Sequence, residues 1–366
     1  MNKIKTILLS ALISAGTLFM TSCHKDKEDE PEKHSTEQSL TTDGSSTEKP
    51  SDEPSKTETF KVEFNTDGGT GEFETQTVEK GGKATVPTTN PEKEGYVFKG
   101  WFNGENEYDF EIAVEGDLKL RAEWYKLGKF SVNDDGKQVV FSPGNLQYNT
   151  TVKQFLFAAS QTKCLGTKQG DVIDLFGWGM WLDEFAKHKL KITNTEEDNS
   201  QYKPELDNKE FKNNQTTVDG TVWFTLSKDE WVYLLKERTN ASDKYGVARV
   251  GEVNGLILLP DEWDDPAGVV QFESGVLVNS HANTYSDVNN YTDEDWKKFE
   301  KNGAVFLPAS GNRRGKIVNV VDENDYWSST AGGDQRAYFL CFSSGNVGCS
   351  DMNRYLGFAV RLVRVL

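Results

Sequence analysis

The first 58 residues limit this 366-residue chain most, because outside one short apolar run they hold almost nothing a folded core could use. A basic start (Lys3, Lys5) leads into an apolar run from Ile7 to Met20, then Met20-Thr21-Ser22-Cys23. That run is too short for a spanning helix and ends in small residues before the first cysteine, so residues 1–22 read as a signal peptide. From His24 to Glu58 the one sizeable apolar side chain is Leu40. Such a segment cannot bury enough apolar surface to offset its ordering entropy, so residues 23–58 are expected to form an extended acidic stalk. Folding is left to residues 59–366.

The formal net charge of −17 argues against nucleic acid or an anionic membrane surface as partner. About 300 residues beyond the stalk are enough for two folded units. Beyond the leader no apolar stretch approaches the length of a span. Cys164, Cys341 and Cys349 remain after Cys23, and none sits in a CxxC pattern. Only His188 and His281 lie beyond the stalk, so no histidine-rich metal site is expected.

The stretch ending at Cys23 resembles the lipobox of bacterial lipoproteins, with Met20 where leucine is usual. The resemblance implies that Cys23 is acylated and holds the chain on outer-membrane lipid. Lys25-Asp26-Lys27-Glu28-Asp29-Glu30 resembles the acidic signal that sends Bacteroidetes lipoproteins to the cell surface, which implies display on the exterior face. The same run also fits a solvated charge cluster.

Residues 59–125 read as short strands between turns. Phe60, Val62 and Phe64 alternate, Asp67-Gly68-Gly69 and Lys80-Gly81-Gly82 turn the chain, and Leu118, Leu120, Ala122 and Trp124 alternate again. The phrases Phe64-Asn65-Thr66-Asp67-Gly68-Gly69, Gly95-Tyr96-Val97-Phe98-Lys99-Gly100-Trp101 and Leu118 to Trp124 resemble the Listeria–Bacteroides repeat, the internalin-type B repeat. That family implies a small β-grasp-like module of surface proteins, used as spacer or adhesion element.

Residues 126–366 hold seven of the nine tryptophans. Ser227-Lys228-Asp229-Glu230 reads as a capping box opening a helix with Trp231, Leu234 and Leu235 on one face. Thr292 and Asp295 mark a second, short helix carrying Trp296 and Phe299. Leu256 to Pro260 and Ala304 to Pro308 read as buried strands. A C-terminal hairpin, Ala337 to Ser343 and Val347 to Ser350, precedes a last strand. Two helices among many strands predict an α+β unit. Trp223 to Trp231, Tyr326-Trp327-Ser328-Ser329-Thr330 and Gly357-Phe358-Ala359-Val360-Arg361 resemble the Fibrobacter major paralogous domain, which is similar to formylglycine-generating enzymes. The resemblance implies a C-type lectin-like α+β fold.

No catalytic constellation emerges. The cysteine pair that such enzymes use for copper has no counterpart in Tyr326 to Thr330, so no catalytic residue, cofactor or metal is assigned. Acidic groups at 261–265 and 293–295 read as loop and helix-start charges or as oxygen ligands for calcium. With a three-residue turn at Ser344-Gly345-Asn346, Cys341 faces Cys349 across the hairpin, within reach of a disulfide. Trp178, Trp181 and Trp263 lie within two residues of glycine or aspartate in the segments 177–214 and 261–290, a mixture that suits sugar stacking and equally suits a core. The sequence thus leads to a non-enzymatic, surface-exposed lipoprotein that binds a glycan or a protein. The alternative is a structural accessory subunit of a surface appendage or envelope complex.

Overall fold

Period-two alternation recurs through the chain, and strands dominate accordingly. The computed structural model describes residues 57–165, 171–183, 214–269, 271–275, 289–314, 317–319, 324–333 and 335–366. The expected anchor Cys23, the stalk as far as residue 56 and all of 184–213 lie outside the described residues. The described residues belong to one contact unit, Thr57–Leu366, and no helix among them is long and apolar enough to cross a membrane.

Strands β1 (Thr59–Asn65), β2 (Gln76–Glu79), β3 (Tyr96–Asn103), β4 (Asn106–Glu107) and β5 (Leu118–Lys126) form a sheet in the order β2-β1-β5-β3-β4. β1 and β5 run parallel, with Val62 opposite Leu118 and Phe64 opposite Leu120; the remaining pairs are antiparallel. Alternation sends Val62, Leu120 and Ala122 to one face, where they meet Trp101 and Trp124. The turn after β1 places Asp67 and Gly68 at φ 51° and 80°, a backbone that favours glycine at the second position. Trp124 Nε1 donates to Thr66 O at 2.9 Å, so its one polar atom is satisfied as the ring packs.

The rest of the chain builds five further sheets among the described residues. The one closest in sequence to the repeat takes β6 (Phe130–Ser131), β7 (Gln138–Phe141), β11 (Thr216–Val218), β12 (Thr221–Thr225) and β22 (Leu362–Val365), ordered β11-β12-β22-β7-β6. The last strand of the chain is therefore central, between β7 and β12. A second sheet is β10-β8-β9, from β8 (Leu146–Asn149), β9 (Gln154–Phe157) and β10 (Val172–Ile173). A third is β15-β13-β14-β16, from β13 (Tyr245–Val250), β14 (Val253–Leu258), β15 (Asn290–Tyr291) and β16 (Val305–Pro308). A pair, β17 (Asn312–Arg314) with β18 (Ile317–Asn319), and a meander, β19 (Asn324–Gly332), β20 (Arg336–Ser343), β21 (Asn346–Asn353), complete the set.

Both capping signals work as the sequence predicts, yet they open only short helices. In α1 (Lys228–Val232) the Ser227 hydroxyl accepts from the Glu230 amide and the Glu230 carboxylate accepts from the Ser227 amide. The helix continues as a π turn over Tyr233–Glu237, burying Trp231, Leu234 and Leu235. In α2 (Asp293–Lys301) Thr292 caps the Asp295 amide, and Trp296 and Phe299 are buried.

This overturns the α+β, C-type lectin-like expectation. Strands hold 45% of the described residues and helix 9%, too little helix to form a layer of its own against the sheets. The fold is mostly β, with the two helices packed as local plugs. Across the repeat, too, the described residues 57–126 place no helix.

The C-terminal hairpin also differs from its expected register. Its turn has two residues rather than three, pairing Ser343 with Asn346, Cys341 with Gly348 and Leu340 with Cys349. A one-residue slip moves a side chain to the other face of a sheet. Cys349 therefore packs with the Leu340 cluster and Cys341 with the Phe339 cluster, and the two thiols do not face each other. The Cys341–Cys349 disulfide is not supported by this register.

The repeat is joined to the following residues by more than the chain. Lys301 of α2 donates to Glu123 Oε1, and Arg121 Nη1 lies 2.5 Å from Glu123 Oε2, both on a carboxylate only 7% exposed. Gly128 and Gly303 bring their backbones together so closely that a Cβ on Gly128 would sit 2.1 Å from Gly303 O. The Asp261 amide donates to Lys129 O at 2.8 Å.

Candidate functional site

The junction leaves a cavity of about 320 Å³ between the end of β5 and the sheet β11-β12-β22-β7-β6, the central sheet below. Val97 and Lys99 of β3 and Tyr125 to Gly128 bound it on the repeat side. Opposite stand Phe130, Val140 and Phe141, then Thr221 and Trp223 of β12 and Arg364 of β22, with Glu300 and Gly303 to Val305 from the end of α2 and the strand after it.

Two aromatic walls each carry a cation. Lys99 Nζ lies 4.8 Å from the Tyr125 ring centre, and Arg364 Cζ lies 5.9 Å from that of Trp223. The second pair follows from register: Phe224 pairs with Val363, which brings the neighbouring Trp223 and Arg364 alongside each other. Trp223 also packs edge-on to Phe157 at 5.1 Å, and its buried Nε1 has no acceptor among the described residues. Burial, reinforced by Glu300, Glu123 and Glu107, pushes the Tyr125 phenol up to about 12, so it is a hydrogen-bond donor at neutral pH.

The floor is Gln161, only 6% exposed, and every part of its amide is engaged. Its Nε2 donates to Glu300 Oε1 and to Ala304 O, both at 3.1 Å. Its Oε1 accepts from the Phe306 amide at 2.9 Å and from Arg361 Nη2 at 2.6 Å. Arg361 is fully buried, and burial pulls its guanidinium down to about 10. Asn145 Oδ1 accepts from Arg361 Nη1 at 3.4 Å, Asn145 Nδ2 donates to Tyr326 Oη at 2.9 Å, and Tyr326 donates to Pro308 O at 2.7 Å. A chain of buried polar groups thus fixes Gln161, and through it the carboxylate of Glu300.

The residues singled out in the sequence lie elsewhere. Trp178 and Trp181 are 0% exposed. Their indole N–H groups are spent on Ser328 O at 2.7 Å and Thr225 Oγ1 at 2.9 Å. Arg354 stacks over Trp178 at 4.5 Å. Neither ring can stack on a ligand, because its faces are covered by protein. Trp263 is half-buried, lies nearly parallel to Phe299 at 5.4 Å and donates to Asp265 Oδ1 at 2.8 Å, so it too packs rather than presents. All three tryptophans are packing residues.

Asp261 is taken up by protein donors. Its carboxylate accepts from Arg238 Nη1, from the amide and hydroxyl of Ser131, and from Gln138 Nε2 at 2.7–3.2 Å. Asp295 is taken up by Thr292 and Lys298 at the start of α2. Burial pushes the Cys164 thiol up to about 11 and that of Cys349 up to about 12, which keeps both thiols protonated.

Nothing in the sequence groups Tyr125, Trp223, Lys99, Arg364, Gln161 and Glu300. They come from separate stretches, and only the pairing of β12 with β22 and the docking of α2 on β5 collect them. Trp223 opens the stretch Trp223 to Trp231, but nothing local separates it from its buried neighbours.

Residues 60–123 match the family model of the Listeria-Bacteroides repeat domain. The family match covers the repeat and not the C-terminal residues. A curated protein of Evansella cellulosilytica, named "Putative Gly-rich membrane protein", is 37% identical over 87 residues, covering 22% of this chain and 10% of that protein. The chain thus spans about a tenth of the length of the curated relative it matches.

Proposed function

We propose that this chain is a cell-surface lipoprotein, held on outer-membrane lipid through an acylated Cys23, that acts as a non-enzymatic binding or adhesion protein. Surface residence is supported by the repeat match at residues 60–123 and by a relative whose printed name is that of a membrane protein. The export leader and the cysteine at its end support the lipid anchor, and the acidic run after it supports the exterior face. One observation carries the binding role: an accessible cleft of about 320 Å³ whose aromatic walls and few polar groups come from both the repeat and the central sheet. Sites for small ligands are concave, largely apolar and furnished with a small number of placed polar groups, often where two units meet.

Two measurements test this reading. Cys23→Ser should move the protein from the detergent phase to the aqueous phase on detergent partitioning, because several acyl chains supply an anchor that one chain could not. Continued partition with detergent would remove the lipid anchor from the proposal. For the cleft, Thr221→Trp fills the opening from a partly exposed position. On a glycan array the wild-type protein should be retained and this variant should not, with an unchanged melting temperature. Equal retention by both proteins would place binding outside the cleft. No retention of either would favour the structural-subunit alternative.

A further inference from the structure

We infer that the cleft takes an acidic sugar ring, a uronic-acid residue of a glycan, with its carboxylate met by Lys99 and Arg364 and its hydroxyls by Glu300 and Tyr125. This rests on the proposed binding role of the same cleft and names its ligand class.

Charge is the first argument. The chain carries a formal net charge of −17, yet the charged residues of this cleft are Lys99, Lys126 and Arg364 against the single carboxylate of Glu300. Among the described residues none of these three cations takes part in an ion pair. Lys99 and Arg364 instead rest on the faces of Tyr125 and Trp223. A local cationic surplus in an otherwise acidic molecule favours an anion at that place and disfavours it elsewhere.

Shape and acceptor chemistry narrow the anion. Three aromatic side chains, Tyr125, Phe141 and Trp223, line the walls, which suits a ligand with an apolar face. The volume lies at the small end of the ~300–1,000 Å³ typical of ligand pockets, enough for one ring and its substituents. Glu300 then decides between anions. Its Oε1 accepts from Gln161 and its Oε2 remains an acceptor facing no donor among the described residues. A phosphate at neutral pH or an aromatic acid would set negative charge beside that carboxylate and offer it few or no donors. A uronic acid offers hydroxyl donors to Glu300 and its own carboxylate to the cations, so both signs of charge are answered by one ring. Gln161, held by Arg361, Phe306 and Ala304, fixes Glu300 in place and acts as a positioning residue.

Calorimetric titration of the detergent-solubilised full chain tests this with four probes: galacturonic-acid and glucuronic-acid oligosaccharides, matched neutral galactose and glucose oligosaccharides, 4-hydroxybenzoate, and inorganic phosphate. The expected result is binding of the acidic oligosaccharides alone, weakened by added salt. Lys99→Gln and Arg364→Gln, both at exposed positions, should each lower the affinity about tenfold or more, the size of a lost charge-assisted hydrogen bond. Their melting temperatures should match the wild type. The inference is overturned if neutral sugars, hydroxybenzoate or phosphate bind as well as the acidic sugars. It is also overturned if acidic binding survives both substitutions unchanged, or if no acidic sugar binds. Neutral binding that Thr221→Trp abolishes would sink the acidic-sugar class while leaving the cleft as a binding site; loss of all binding would sink both.

Discussion

Trp178 and Trp263 show how one residue type divides by burial. Trp178 is sealed between Ser328, Arg354 and the core around Trp327, whereas Trp263 lies half-covered on Phe299. Trp178→Ala should cost ~3–5 kcal/mol, the range for removing a large aromatic from a packed site, read as a shift in the urea midpoint. Trp263→Ala should cost clearly less, because part of its surface already meets water. Equal losses would mean that Trp263 is as enclosed as Trp178. In the sequence both are a tryptophan next to glycine or aspartate, and nothing local predicts which is walled in. The difference arises from residues more than a hundred positions away, such as Ser328 and Arg354.

At the scale of elements, the caps were the most legible feature. Ser227 and Glu230 are three apart and act within one turn, so their reciprocal bonds depend on neighbours only. Ser227→Ala should destabilise the protein by ~1 kcal/mol, the usual worth of a lost N-cap, seen as a lower melting temperature with unchanged far-ultraviolet strand signal. An unchanged melting temperature would show that α1 is held by the packing of Trp231 and Leu234 alone. The hairpin was less legible. Strand positions were apparent from alternation, but turn length was not, and a two-residue turn instead of three carried Cys349 to the opposite face from Cys341. Helix content was overread for a related reason: a start signal says where a helix begins and leaves its length to tertiary packing.

At the scale of the whole molecule, Glu123 ties the repeat to α2. Burial alone would raise its pKa, but hydrogen bonds from Lys301 and Arg121 outweigh it and hold the carboxyl below its usual 4.5. A carboxylate with a lowered native pKa stabilises above its unfolded value and loses that contribution as pH falls through the native one. The junction should therefore hold at neutral pH and loosen on acidification below 4.5, read by hydrogen exchange in residues 126–131. Glu123→Gln should exchange faster there at neutral pH and respond less to acid. An identical acid response in the variant would assign the loosening to other carboxylates.

The sequence by itself determined the features that local chemistry controls: the alternating strands of the repeat, its turn glycines and both helix starts. These depend on residues a few positions apart, where sterics and short hydrogen bonds decide. Tertiary structure alone decided the mostly β architecture, the central place of the last strand and the burial of Trp178 and Trp181. It also collected Lys99, Tyr125, Gln161, Trp223, Glu300 and Arg364 around one cleft. Strand order, hairpin register and the docking of α2 against β5 set those outcomes through contacts between distant segments, and a one-residue change of register is enough to reverse which face a side chain occupies.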